Sequence, residues 1–334
     1  MKKTPKLLIL AGTVLAFLFL FGIIFYNNFI KKSIYEENSQ HLLSTYEQVD
    51  KTFTMFVQHN WNALSDWSNN LQYLDDAENM KTLWYDFARR KDAWQYQDFY
   101  MFNENCDFIT AAGRDGNAPN IQGIFLDMYE TGQPVISSYI ASDSNRRIVF
   151  ALPMDVPYTI NGITYSGLAV SYNNDVVEKL IAGNIYQGQS DCYILTSDGN
   201  VLLSLEPKTE FLQKISNLFD FLNKYTNMTE TEITDLKKNI KNVSTGSLQC
   251  RYNNKNYYLV YEPTGINDWT IVGIIHDDVV DASMRRIQSI TIVLLLILNG
   301  CIALLLTGTV FALMDSRLRM KEHEQMILLK RKEL

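Results

Sequence analysis

Two long stretches of the chain contain no charged residue. Leu7–Ile30 reads LLILAGTVLAFLFLFGIIFYNNFI, and Ile287–Met314 reads IQSITIVLLLILNGCIALLLTGTVFALM. A helix that crosses a membrane needs about 20 apolar residues, and both stretches reach that length. Phe25, Tyr26 and Phe29 close the first with an aromatic cluster of the kind that sits at a membrane surface. A cleaved leader has an apolar core of about 7–15 residues followed by a small-x-small cleavage site. This stretch is longer and no such site follows it. The pattern predicts two transmembrane helices, 7–30 and 287–314.

Between them the period changes twice. From Lys32 to about Asn70 there is no Pro or Gly, and Leu42, Leu43, Tyr46, Val49, Phe53, Phe56 and Val57 recur at helical steps. That predicts a long helix continuing outward from the first span. A second helical stretch is expected over Ala77–Lys91, with Leu83, Trp84 and Phe87 on one face. Strand signals follow. Tyr100–Thr110, YMFNENCDFIT, aligns with Tyr193–Leu203, YILTSDGNVLL, and each reads strand, polar turn, strand. Arg147–Pro153 likewise matches Tyr257–Pro263. Each is followed by a turn and another apolar strand, Ile163–Tyr172 or Trp269–Ile275. Asn161-Gly162 supplies the first of those turns.

The outer region therefore reads as two copies of one unit, with a helical insert at Glu206–Asn242 in the second. The expected fold class is α+β: two half-open antiparallel sheets, each with one face covered by helices, beside the long N-terminal helix. The expected division is a tail at 1–6, the first span at 7–30, a helical lead-in at 31–90, the two copies at 91–188 and 189–286, the second span at 287–314, and a helix at 315–334. That last segment, DSRLRMKEHEQMILLKRKEL, lacks Gly and Pro and stops in mid-helix. The abrupt stop implies an output domain beyond it.

Basic residues set the orientation. Three lysines precede the first span and two follow it; two arginines precede the second span and six basic residues follow it. Both counts favour termini in the cytoplasm and an extracytoplasmic middle. The net charge of −7 gives no footprint for nucleic acid. Without the two tails the chain holds 21 Lys/Arg and 33 Asp/Glu, a balance of −12. Such a surface does not stick to an anionic membrane.

Catalytic and metal signals are missing from the sequence. His41, His59, His276 and His323 fall in no metal-ligand spacing. There is no GxSxG elbow, P-loop or Gly-rich dinucleotide motif. The expectation is no enzyme in this chain, no cofactor and no metal. Cys106, Cys192 and Cys250 lie outside the spans; a Cys192–Cys250 disulfide and reduced, partly buried thiols both fit.

The segments Thr131–Met154, Gly167–Asn174, Ser190–Ser204 and Tyr257–Ile275, in this order and spacing, resemble the double Cache domain. This is the tandem PAS-like sensor of bacterial receptors, among them histidine kinases and diguanylate cyclases. The resemblance implies a membrane-distal subdomain that binds a small molecule and a membrane-proximal one that relays. Some members of the group hold amino acids with an aspartate on the last distal strand. Here Ser171 stands near that place.

Small-ligand sites combine an apolar lining with a few placed polar groups. On that ground Trp94, Tyr96 and Tyr100 are candidate walls. Arg114 or Arg147 would meet a carboxylate or phosphate, and Ser138 and Tyr139 would hydrogen-bond. The functional expectation is a two-pass receptor input module in the cell membrane. Its partners would be a small molecule outside the cell, membrane lipid and a second copy of itself, packed along the N-terminal helices. The alternative is an extracytoplasmic enzyme or adhesin held by two anchors.

Overall fold

The computed structural model describes residues 4–71, 85, 87–89, 91, 95–118, 121–141, 145–181, 185–204 and 215–332. The side chains of residues 4–20 lie outside that description, as does most of the helix expected at 77–91. The chain divides into two units. One is Tyr35–Val280; the other holds the residues up to Ile34 and those from Asp281.

Helix α1 is continuous from Thr4 to Leu71. Beyond Ile34 its buried positions include Leu42, Tyr46, Val49, Phe53, Val57, Asn60, Leu64, Trp67 and Leu71. These steps of three and four trace one seam, apolar but for Asn60. It joins a single core cluster with residues from two antiparallel sheets.

The first sheet is built from β1 (Asp98–Phe102), β2 (Asp107–Thr110), β3 (Asp115–Asn117), β4 (Val135–Ile140), β5 (Arg146–Ile160) and β6 (Ile163–Asn173), in the order β3-β2-β1-β6-β5-β4. Asn161 and Gly162 both take positive φ and close the β5–β6 hairpin, as their sequence predicts. The second sheet uses β7 (Ser190–Leu195), β8 (Val201–Ser204), β9 (Gly246–Tyr252), β10 (Lys255–Pro263) and β11 (Thr270–His276), in the order β8-β7-β11-β10-β9. Counted within its own sheet, each has the order 2-1-5-4-3, the first with β3 added outside β2. The two copies legible in the sequence are therefore two copies of one topology.

The sheets differ from expectation in how they are covered. Strands β10 and β11 are buried along consecutive positions, not alternate ones, so both faces of the second sheet are covered. One face joins the α1 core through Cys192, Ile194, Tyr258, Val260 and Ile271. The other packs on α4 (Leu218–Tyr225) and α5 (Glu230–Lys241), the described part of the expected insert. Cys192 and Cys250 fall on these opposite faces. The disulfide is thereby excluded, and Cys106, Cys192 and Cys250 are free and buried.

In the first sheet, Phe99, Met101, Ile148, Phe150, Leu168, Val170 and Tyr172 face α1. The opposite face is covered at one end by α2 (Gln122–Thr131), where Phe125 stacks on Phe102 at 3.7 Å. Val149, Ala151 and Ala169 lie on that face in the same cluster as Phe125 and Met128. The half that α2 does not cover is where a cavity forms.

After β6 and β11 come α3 (Asn174–Ile181) and α6 (Asp277–Lys332). Within α6, Ser289–His323 is long and apolar enough to cross a membrane. Leu7–Ile30 is helical as part of α1, and Phe21, Ile24, Phe25 and Phe29 are exposed.

Candidate ligand-binding site

Strand alternation builds the site. Asp98 and Tyr100, two apart on β1, point to the same side, the side floored by Ala169, which is Tyr100's partner on β6. Thr110 on β2 lies opposite Tyr100 and Tyr139 on β4 lies opposite Arg147 on β5. Cross-strand partners share a face, so β1, β2, β4 and β5 deliver side chains to one cavity of about 310 Å³, to which β3 adds Asn117. Asp98, Tyr100, Thr110, Asn117, Tyr139 and Arg147 supply its polar groups and rings. Phe108, Ala118, Ile121 and Ala141 complete the wall.

The charges inside are paired. Asp98 Oδ2 accepts from Arg147 Nη1 at 3.5 Å and Asp98 Oδ1 from Arg114 Nη2 at 3.2 Å. The two arginines differ in setting: the Arg147 side chain is 14% exposed and that of Arg114 is 71% exposed. An exposed pair contributes little, so the enclosed Arg147–Asp98 pair defines the electrostatics. Burial, then Tyr139 and Asp98, push the Tyr100 phenol well above its ordinary pKa. It is a protonated donor at any physiological pH. Asn117 is fixed by bonds from its Nδ2 to Asn105 O and Asp107 Oδ1.

Of the residues singled out in the sequence, Tyr100, Tyr139 and Arg147 line the cavity. Arg114 reaches it through Asp98. Ser171 lies opposite Asp98 on β6, fully buried, with an Oγ that has no hydrogen-bond partner among the described residues. Two expectations are corrected. Tyr96 sits in the α1-facing core, where its hydroxyl donates to Phe87 O at 2.8 Å. Ser138 pairs with Ile148, a residue of the α1-facing side, because alternation sends it away from its neighbour Tyr139. Trp94 lies outside the described residues.

Sequence reasoning missed Asp98 and Thr110. Both were within reach of it: Asp98 shares Tyr100's face two residues away, and Thr110 is its hairpin partner. Asn117 carried no signal, since β3 is the three-residue strand Asp-Gly-Asn with every position exposed.

No protein-family model and no curated protein matches the chain. Solved structures do. The ligand-binding domain of the Pseudomonas aeruginosa amino-acid chemoreceptor PctB, in complex with L-Arg, is 13% identical, with TM-score 0.54 over 75% of this chain and 92% of that one. The sensory domain of the Campylobacter jejuni chemoreceptor Tlp3 with isoleucine bound is 11% identical, with TM-score 0.51 over 76% and 98%. The extracellular domain of a predicted histidine kinase, mmHK1S-Z2, is 13% identical, with TM-score 0.50 over 74% and 98%. The chain has the fold of extracellular sensory domains, the tandem Cache-type fold that its sequence resembles.

Proposed function

We propose that this chain is the sensing and transmembrane part of a receptor, and that its ligand is a small amino-acid-like zwitterion held between Arg147 and Asp98. The observation that carries the reading is the enclosed guanidinium–carboxylate pair in an aromatic-walled cavity. A ligand carboxylate would take the place of Asp98 on Arg147, and a ligand ammonium would take the place of Arg114 on Asp98. Charge-assisted bonds of this kind are the strong ones. Asp98 would then supply, from the first strand, the acid that Ser171 does not supply from the last. That the two chemoreceptor domains were solved with isoleucine and L-Arg supports the same chemistry.

The relay follows the chain. Going outward along α1, Tyr35 stacks on Tyr258 of the second sheet, while further on Phe56 meets Phe150 and Tyr172 of the first. The second sheet would thus be membrane-proximal and the first distal. Arg146, next to the pocket's Arg147, donates from Nη1 to Val201 O at 2.6 Å and Leu202 O at 3.2 Å on β8. A shift of β5 on ligand binding would reach the second sheet there, and then α6, which follows β11 directly. Leu7–Ile30 and Ile287–Met314 would anchor the chain in lipid with both termini cytoplasmic. A homodimer and a histidine kinase or diguanylate cyclase output complete the reading.

The test is a thermal-shift screen of the full chain in detergent against amino acids, organic acids, amines, nucleobases and sugars. A ligand that binds only the folded state raises the melting temperature. The expected hit is an amino acid whose effect Arg147→Ala abolishes. A folded protein that responds to nothing in the panel, or equally well with Arg147→Ala, overturns the reading.

A further inference from the structure

Away from the pocket, the contact between α1 and the second sheet carries carboxylates with almost no counter-charge. Glu262 is on β10, in step with Tyr258 and Val260, whose side chains join the α1 core. Alternation therefore turns Glu262 toward α1. On α1, Asp50 follows the buried Val49 and precedes the buried Phe53 by one turn. Asp50 and Glu262 are both half-buried. One oxygen of Asp50, Oδ1, is fully enclosed and has no hydrogen-bond partner among the described residues.

The charged groups around them are few. Glu47 and Lys51 of α1 act on Asp50, whose carboxyl also takes a hydrogen bond from Thr54 one turn along the helix; Asp50 and Glu47 act on Glu262. Lys51 is already held by Glu47 at 2.6 Å, on the exposed side of the helix. The neighbouring strands bring no charge: Glu262 lies opposite Ile271 on β11, and the pairing with β9 ends at Tyr261–Gly246. Three carboxylates thus meet one committed lysine across a helix–sheet contact.

We infer that Asp50 and Glu262 form a proton-dependent latch between α1 and the second sheet, closed when the pair holds a proton and loosened when both carboxylates are ionised. Protonating one carboxyl removes its repulsion of the other and the cost of keeping two partly buried charges from water, whereas two ionised carboxylates in this contact repel and lose hydration. The latch needs no ligand, and it acts at the sheet that leads into α6.

The titration agrees with the geometry. Burial first, then Glu47, raises the pKa of Asp50 to about 6. Burial first, then Asp50 and Glu47, raises that of Glu262 to about 7. Ordinary values for an unfolded chain are about 4, so between about pH 4 and 7 the folded state holds more protons than the unfolded one. Stability from this pair is present at the acid end of that window and is lost as pH rises through it. Acidification of the outside medium from about pH 7.5 to 5.5 closes the latch.

The test compares melting temperatures of the full chain in detergent at pH 8.0, 7.0, 6.0 and 5.5, without ligand. Wild type should melt several degrees higher at pH 5.5 than at pH 8.0. Asp50→Asn with Glu262→Gln, neutral mimics of the closed state, should remove most of that dependence and raise the melting temperature at pH 8.0. An unchanged pH dependence in the double variant overturns the inference. A readout that needs no variant to fold is carboxyl carbon NMR of the wild type. At least one of the two carboxyls should titrate above pH 5.5; titration of both below pH 5 overturns the latch. Neither result depends on what occupies the Arg147 pocket.

Discussion

At Asp98 and Arg147 the cavity wall separates two kinds of ligand. If Asp98 holds an ammonium, Asp98→Asn should weaken an amino acid but leave a simple carboxylic acid of the same shape almost unaffected. A hydrogen bond to a charged group contributes about 1.5–3 kcal/mol, so the expected loss is roughly 10–100-fold in affinity. Titration calorimetry with matched amino and desamino acids measures it, and equal losses for both would place the amine elsewhere. The residues legible in the sequence here, Tyr100, Tyr139 and Arg147, sit within apolar strand patterns, where the type of residue marks the position. Asp98 was passed over, although it shares Tyr100's face, because a carboxylate at the start of a strand reads as turn chemistry. Tyr96 misled for the opposite reason: an aromatic ring just before a strand serves the core as readily as a pocket. A second residue-scale outcome concerns Gly273 on β11. A Cβ there would lie 1.9 Å from Tyr46 Cζ, so the phenol end of the ring packs on bare backbone. Gly273→Ala should cost about 1–3 kcal/mol through overpacking, seen as a lower denaturant midpoint with an unchanged slope.

Elements were legible in proportion to how fully they are buried. α1 announced itself by an uninterrupted helical seam, and β1–β2 and β7–β8 by their repeat. The edge strands β4 and β9 gave weaker patterns because most of their positions are only half-buried. The expected insert resolves into α4 and α5, and α5 opens with a capping box. Thr229 N donates to Glu232 Oε2 at 2.7 Å, and Glu232 N donates to Thr229 Oγ1 at 3.3 Å. Losing an N-cap side chain costs about 1 kcal/mol, so Thr229→Ala should lower stability by that amount and increase hydrogen exchange in the first turn of α5. Thr229 N, together with Thr229 Oγ1, which also donates to Glu232 Oε2 at 2.8 Å, holds the Glu232 carboxyl below its ordinary pKa. The part of the capping that ends on the carboxylate is therefore complete at neutral pH and fades as pH falls through that lowered value, while the Glu232 N–H bond to Thr229 Oγ1 remains. This is opposite in sign to the Asp50–Glu262 pair, so the two can be told apart in one pH series: Thr229→Ala should match wild type most closely at the acid end.

Across the whole of Tyr35–Val280, one apolar cluster runs from α1 into both sheets, and it decides whether the two copies fold as one. The crossing point on α1 is narrow. Phe53 stacks with Trp269 beside the second sheet at 6.2 Å, and one turn later Phe56 meets Phe150 and Tyr172 of the first sheet at 5.4 and 5.1 Å. Truncating a fully buried Phe such as Phe53 costs about 3–5 kcal/mol, and truncating the half-buried Phe56 costs less. If the cluster is one cooperative unit, that cost is felt in both sheets, whichever ring is removed. Phe53→Ala should then reduce amide protection in β1 and β6 as much as in β10 and β11, and Phe56→Ala should do the same. If the copies open separately, Phe53→Ala would spare the first sheet and Phe56→Ala the second. Native-state hydrogen exchange reads the difference strand by strand. The first outcome means that α1 ties the pocket-bearing sheet to the sheet that leads into α6. The second would leave the polar bridges between them, that of Arg146 to β8 and that of Asn267 Nδ2 to Ile136 O among them, and Arg146→Ala would then weaken the coupling of ligand binding to the second sheet.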